Sequence, residues 1–137
     1  MELTRRYHFC ASHRLHSQHL SEEVNRELYG KCNNPYGHGH NYEVEVTVSG
    51  PVNRQTGHVV DIRDLDTLVK THITEPLDHR NLNREVADFR QLVPTTENLG
   101  VIIDKRLRAA WPSVFPKRTP DLGRVRIYET ARNIFEI

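Results

Sequence analysis

A cysteine and two histidines crowd into one short stretch, Lys31-Cys32-Asn33-Asn34-Pro35-Tyr36-Gly37-His38-Gly39-His40-Asn41-Tyr42. Imidazole nitrogen and thiolate sulfur are the donors zinc prefers, in a tetrahedral shell. An H-x-H pair on a strand projects both rings from one face, because side chains there alternate with a period of two. A lone histidine is more often a hydrogen-bonded core or surface residue than a ligand. The spacing of His38 and His40 makes metal a strong competitor to that reading. Cys32 has three readings. It is a small buried apolar residue, a fourth ligand that closes a structural site, or a base or nucleophile beside an open metal.

Of the nine histidines in the chain, a third ligand must come from elsewhere. Residues 3–15 alternate as a strand whose odd-numbered side is the more apolar, so His13 faces inward and Cys10 outward. Residues 38–49 alternate more cleanly still, with His38 and His40 on the side shared by Tyr42, Val44, Val46 and Val48. Three imidazoles from two paired strands leave the fourth zinc position open, the pattern of a catalytic site. His16 and His19 are rival third ligands in a loop where no alternation fixes their direction. Glu129 shares a face with Val125 and Ile127, and an inward carboxylate needs a partner: an arginine or the N–H edge of a purine or pterin ring. In Asp78-His79 a carboxylate precedes an imidazole and could fix its tautomer, although a turn with a surface histidine has the same sequence.

The elements that position these groups follow from period and punctuation. Residues 16–37 form a long loop holding a short helix over 21–29 with Ser21 as cap. Gly50-Pro51 ends the second strand, and residues 58–62 return as a short one. Asp61 caps a helix with Ile62, Leu65, Leu68, Val69 and Ile73 on one face, stopped by Glu75-Pro76. Residues 77–83 have loop composition. Thr95 or Thr96 caps a second helix, ended by Trp111-Pro112. A strand over 123–130 and a closing strand over 133–137 complete an α+β fold, an antiparallel sheet with two helices on one face, as one domain over 1–137.

The formal charge of +1 gives no electrostatic case for nucleic acid or a membrane surface. No apolar run approaches the roughly 18 residues of a membrane span. The polar N-terminus lacks the apolar core of a signal peptide, so the cytoplasm is the expected compartment. With only Cys10 and Cys32 present, a thiol with a chemical role fits a reducing compartment better than a disulfide.

Five segments together resemble the 6-pyruvoyltetrahydropterin synthase family: Phe9 to Leu15, Gly30 to Tyr42, Pro76 to Leu82, Thr95 to Asn98, and Tyr128 to Thr130. The family usually has Ser where this chain has Cys10, a position facing outward. The resemblance implies a tunnelling fold, with sheets joined into a barrel within a trimer and two trimers paired as a homohexamer. It implies Zn2+ held by His13, His38 and His40, with Cys32 as the proton-abstracting base. Asp78 and His79 would complete a catalytic relay reaching Cys32 from an adjacent chain. Glu129 would anchor the pterin ring, with Thr96 nearby. The implied reaction converts 7,8-dihydroneopterin triphosphate to 6-pyruvoyltetrahydropterin with elimination of triphosphate, in tetrahydrobiopterin-type biosynthesis, without a nicotinamide.

Within the family, the 6-carboxytetrahydropterin synthases of the deazapurine (queuosine) pathway commonly have a shorter gap between cysteine and H-G-H. The five residues between Cys32 and His38 resemble the pyruvoyl-forming branch. A different class is a noncatalytic pterin-binding or zinc-stabilised assembly protein, in which Cys32 is the fourth ligand.

Overall fold

The computed structural model describes every residue from Met1 to Ile137. The chain runs β1 (Glu2–His13), α1 (Glu22–Tyr29), β2 (His38–Ser49), α2 (Ile62–Val69), α3 (Glu75–Leu77), β3 (Arg80–Asn81), α4 (Leu82–Glu85), α5 (Thr96–Val114), β4 (Asp121–Tyr128) and β5 (Ile134–Glu136). The strands form one sheet in the order β3-β1-β2-β4-β5. β1 and β2 pair antiparallel without interruption from Glu2↔Ser49 to His13↔His38. Only the two-residue β3 runs parallel to its neighbour, pairing Ala11↔Arg80 and Ser12↔Asn81.

One face of this sheet is apolar because every second residue is. Phe9, Ala11, Tyr42, Val44, Val46, Val48, Val125 and Ile127 are buried there, in one core with Leu65, Leu68 and Val69 of α2 and Leu99, Ile103 and Leu107 of α5. The opposite face is a ladder of polar pairs. Arg6 bridges Glu43 and Glu45, the Tyr128 hydroxyl donates to Glu45 at 3.0 Å, and Thr4 and Thr47 hydroxyls meet at 2.7 Å. This is the one-sided burial available to an antiparallel sheet.

The expected helix caps are present. Ser21 Oγ accepts from Val24 N, Asp61 Oδ1 from Arg63 N and Thr95 Oγ1 from Asn98 N, each satisfying an amide the first turn would leave unpaired.

Four boundaries differ from expectation. Residues 58–62 form no strand. Asn53 ties this region into a turn instead, its Oδ1 accepting from Gln55 N and Thr56 N while its N–H donates to His58 O. Val60 drops into the core alone. Pro76 does not stop the helix. A π-helical turn, Lys70–Thr74, carries it on to Leu77, and the His72 carbonyl four residues before the proline accepts from Arg106 Nη1 at 3.4 Å instead. Pro112 likewise sits within α5, which continues to Val114. Both prolines fall close to helix ends, where a missing N–H and a displaced carbonyl cost less than in mid-helix.

β4 begins at Asp121, earlier than its alternation suggests, because of a bulge. Thr47 pairs with Arg124 and Val48 with Leu122, so Gly123 has no partner. A Cβ at Gly123 would lie 3.2 Å from the Thr47 carbonyl oxygen. The extra residue lets Leu122 and Val125, three apart, both face the core.

Candidate metal centre and the groups around it

His13 ends β1, and its register partner His38 begins β2, with His40 opposite Ala11. The strand alternation therefore brings three rings to one point at the sheet margin. Their ligand nitrogens all lie within 4.8 Å of one another, and His13 Nε2 is 3.1 Å from His38 Nε2. Two nitrogens bound to one tetrahedral zinc at about 2.0–2.1 Å stand about 3.3–3.4 Å apart. The pair already has nearly that separation.

The protonation of His13 also suits a ligand. Its Nδ1–H donates to the Pro94 carbonyl at 2.9 Å, with the Tyr42 hydroxyl 3.1 Å from the same nitrogen. That fixes the tautomer and leaves Nε2 with a free lone pair. Burial, the main cause, pushes the His13 imidazole down to about 4, so it is neutral at physiological pH; the other two imidazoles act in the same direction. Burial also lowers His40, whose Nε2 is buried with no hydrogen-bond partner. A buried acceptor without a donor is a cost that a cation would remove. The donor set, its spacing and this orphaned nitrogen all fit zinc.

Glu129 follows β4 and lies beside the cluster, its Oε1 3.7 Å from His40 Nε2. It is held from behind. The buried Thr96 hydroxyl donates to Glu129 Oε2 at 2.8 Å, and Asn133 Nδ2 donates to Thr96 Oγ1 at 2.9 Å. The structure thus sets Glu129 beside His40 and joins Thr96 to the cluster through Glu129.

Cys32 lies in the 3-10 turn Gly30–Asn33 after α1, pinned to the end of β1 by the Leu15 N–H to Cys32 carbonyl bond at 2.8 Å. The thiol is free and half-buried. Its sulfur is not among the three ligand atoms that cluster within 4.8 Å. The geometry groups three nitrogens rather than three nitrogens and a sulfur.

Asp78 and His79 form a pair, Oδ2 to Nδ1 3.0 Å, but at the edge of β1 where β3 joins it. Asp78 Oδ1 accepts from Cys10 N at 2.9 Å, which first of all holds its carboxyl below the usual range. His79 adopts φ 58° while its N–H donates to Cys10 O. Its ring is 80% exposed. Within one chain this pair is not brought to Cys32. Cys10 faces outward as expected, its thiol donating to Asn41 Oδ1.

The rival histidines are excluded from the cluster. His16 Nδ1 accepts from the Asn33 side chain at 3.0 Å, and His19 is exposed. The long loop is organised by Asn33 and by buried Asn25, whose amide donates to the carbonyls of Ser17, Leu20 and Ser21. Sequence patterning gives no sign of Pro94 or Asn133. Their contacts with His13 and Thr96 span 81 and 37 residues, and neither a carbonyl nor an asparagine after a strand carries a periodic signature.

The sequence matches the profile of the family described as 6-pyruvoyl tetrahydropterin synthase over residues 2–137. It is 49% identical over 132 residues to the 6-pyruvoyl tetrahydrobiopterin synthase of Poecilia reticulata, covering 96% of this chain and 86% of that protein. Identity to the Homo sapiens protein of the same name is 46% over 133 residues, covering 97% and 88%. Among solved structures, Caenorhabditis elegans 6-pyruvoyl tetrahydropterin synthase superposes with a TM-score of 0.88 at 38% identity, covering all of this chain and 94% of that one. An α+β sheet with helices on one face, three clustered histidines and these likenesses agree: the chain belongs to the 6-pyruvoyl tetrahydropterin synthase family.

Proposed function

We propose that the protein is a zinc-dependent lyase that converts 7,8-dihydroneopterin triphosphate to 6-pyruvoyltetrahydropterin with release of triphosphate, residues 1–137 acting as one catalytic domain. The observation that carries this reading is the three-imidazole group within 4.8 Å, with a supported carboxylate 3.7 Å from His40. His13, His38 and His40 would hold the metal. Bound there, zinc supplies Lewis-acid polarisation of the substrate's side-chain oxygens, which acidifies the adjacent C–H bonds.

The remaining roles belong to the chain. Glu129 accepts hydrogen bonds from the N–H edge of the pterin ring, and Thr96 and Asn133 hold its carboxylate in position. Cys32, outside the ligand group, takes and returns protons on the substrate side chain. Asp78 orients His79 through Nδ1, leaving Nε2 toward solvent or a neighbouring chain. Because that pair lies at the edge of the sheet with the His79 side chain 80% exposed, the relay assigned to it is proposed to act on a neighbouring subunit, which accords with a homohexamer whose sites lie between chains. No helix is long and apolar enough to cross a membrane. A cytoplasmic hexamer acting on a small-molecule pterin triphosphate, without nucleic acid, is the assembly proposed.

The deciding experiment incubates zinc-loaded protein with 7,8-dihydroneopterin triphosphate and identifies the products. A 6-pyruvoyl product with triphosphate supports the reading. Acetaldehyde with a 6-carboxy pterin instead assigns the deazapurine-pathway reaction. Absence of turnover with zinc bound points to a noncatalytic pterin-binding protein. Zinc content of Cys32→Ala tests the thiol: retention of metal with loss of turnover is expected, and loss of zinc would make Cys32 a ligand.

A further inference from the structure

Charge is distributed unevenly among the arginines. Arg5, Arg6, Arg63, Arg80, Arg106, Arg108, Arg124 and Arg126 each pair with a carboxylate. Seven others, Arg14, Arg26, Arg54, Arg84, Arg90, Arg118 and Arg132, do not, and three of these, Arg14, Arg84 and Arg90, line one cavity of about 410 Å³. His16 and His19 complete its basic wall, and none of its 16 lining residues is an aspartate or glutamate. The chain as a whole has nearly equal numbers of acidic and basic residues, 18 and 19, so a wall of one sign is a local arrangement.

The two nearest acids in sequence are drawn away. Glu85, beside Arg84, accepts from Asn81 N at 2.7 Å and faces Arg80. Asp88, two residues before Arg90, pairs with Arg106 at 3.0 Å. Arg14 spends Nε–H on the Asn33 carbonyl at 2.9 Å, which anchors the guanidinium and leaves its two terminal nitrogens as donors. His16 accepts at Nδ1 from Asn33, so its Nε2–H is also a donor. The backbone at the cavity's base is fixed by Asn83, whose side chain accepts from Arg14 N at 2.7 Å and donates to Arg14 O at 2.9 Å. The cavity also adjoins the metal centre along the chain at three points. Arg14 follows His13, Gly37 on its wall precedes His38, and Val93 on its wall precedes the Pro94 carbonyl that orients His13.

We propose that the Arg14–Arg84–Arg90 cavity is the seat of the substrate's polyphosphate arm. Planar guanidinium groups match phosphate oxygens two at a time. Several of them from separate segments suit an extended polyanion better than a single phosphate. The assignment rests on the lyase reading for the identity of the arm, but the anion site is testable without turnover.

The test is calorimetric titration of zinc-loaded protein with inorganic triphosphate, comparing wild type, the Arg84→Ala/Arg90→Ala double variant and Arg54→Ala. Arg84 and Arg90 have exposed side chains with no partner to lose, so their removal leaves the fold intact; Arg54 is an exposed arginine away from the cavity. Each lost charge-assisted contact weakens binding by on the order of tenfold. The double variant is expected to bind triphosphate at least tenfold more weakly, Arg54→Ala to match wild type, and wild-type affinity to fall with added salt. Unchanged binding in the double variant, or no binding by wild type, overturns the assignment. In parallel, KM for 7,8-dihydroneopterin triphosphate is expected to rise in the double variant with kcat retained. No turnover by wild type would overturn the lyase reading, while calorimetry would still decide whether the cavity holds a polyphosphate.

Discussion

The imidazole of His13 shows how one residue can be specified by a strand, a loop and a helix start at once. β1 places it opposite His38, Pro94 at the approach to α5 fixes its tautomer, and burial keeps it uncharged. Glu129 is specified in a similar way by Thr96 and Asn133. Thr96 therefore acts through Glu129, and replacing its hydroxyl is informative. Thr96→Val is expected to cost about 1–3 kcal/mol of stability, since a buried carboxylate loses a charge-assisted bond. It is also expected to raise KM for the pterin more than it lowers kcat, with Thr96→Ser restoring most of the loss. Thermal unfolding and steady-state kinetics on the three proteins measure both effects, and equal stability and KM in Thr96→Val would remove the positioning role. At this scale much was legible from sequence. The inward parity of His13, His38, His40 and Glu129 follows from period-two patterning alone. Tyr42 shares that face with His38 and His40, but the partners Pro94 and Asn133 were not legible, because they meet the site through contacts distant in sequence. The triad of Arg14, Arg84 and Arg90 converges from segments whose local patterns say nothing about one another.

At the scale of elements, boundaries follow the sequence where a side chain caps the backbone and depart from it where a proline falls close to a helix end. Ser21, Asp61 and Thr95 cap as their chemistry predicts. Pro76 and Pro112 are tolerated because a π-helical turn and a helix end absorb the missing bond. The region 58–62 holds β-branched Val59, Val60 and Ile62 but has no strand to pair with, and pairing depends on tertiary context. The docking of α2 on β1 has an electrostatic clasp that patterning does not show. Arg5 binds Asp66 through Nε at 2.6 Å and Nη2 at 2.9 Å, and the Tyr7 hydroxyl donates to Asp66 Oδ1 at 2.9 Å. The Arg5 hydrogen bonds, with help from Tyr7, hold the Asp66 carboxyl below its ordinary value. A carboxyl whose folded pKa lies below the unfolded value of about 3.9 stabilises the fold above that pH. The contribution is lost as pH falls through the folded value. The clasp is partly exposed, so its effect is modest and weakened by salt. Asp66→Asn should therefore lower stability at neutral pH and narrow its difference from wild type as the pH falls below 4. Denaturant midpoints for the two proteins across that range measure this, and a gap that stays constant or widens toward acid contradicts it.

For the whole molecule, one chain has most of a site but not all the groups assigned to it. The histidines and Glu129 are in contact, and Cys32 is tied through its carbonyl to Leu15, just beyond β1. His79 lies at the edge of β1 with its side chain 80% exposed. A pair built this carefully, with Asp78 anchored to Cys10 N and His79 in a left-handed conformation, has little structural reason to be displayed to solvent. Non-glycine residues with positive φ are uncommon and concentrate at functional positions. If His79 of one subunit serves Cys32 of the next, two inactive variants should complement each other. Cys32→Ala and His79→Ala are each expected to be inactive as homo-oligomers. Dissociated, mixed in equal amounts and reassembled, they should regain activity, because some interfaces combine an intact Cys32 with an intact His79. Random assortment around a closed ring gives about a quarter of the sites that combination. Recovery should therefore approach about a quarter of wild-type turnover, and each variant carried through the same procedure alone should recover none. Activity that stays at background in the mixture, with mixed oligomers verified by mass, would place the relay within one chain or remove His79 from it.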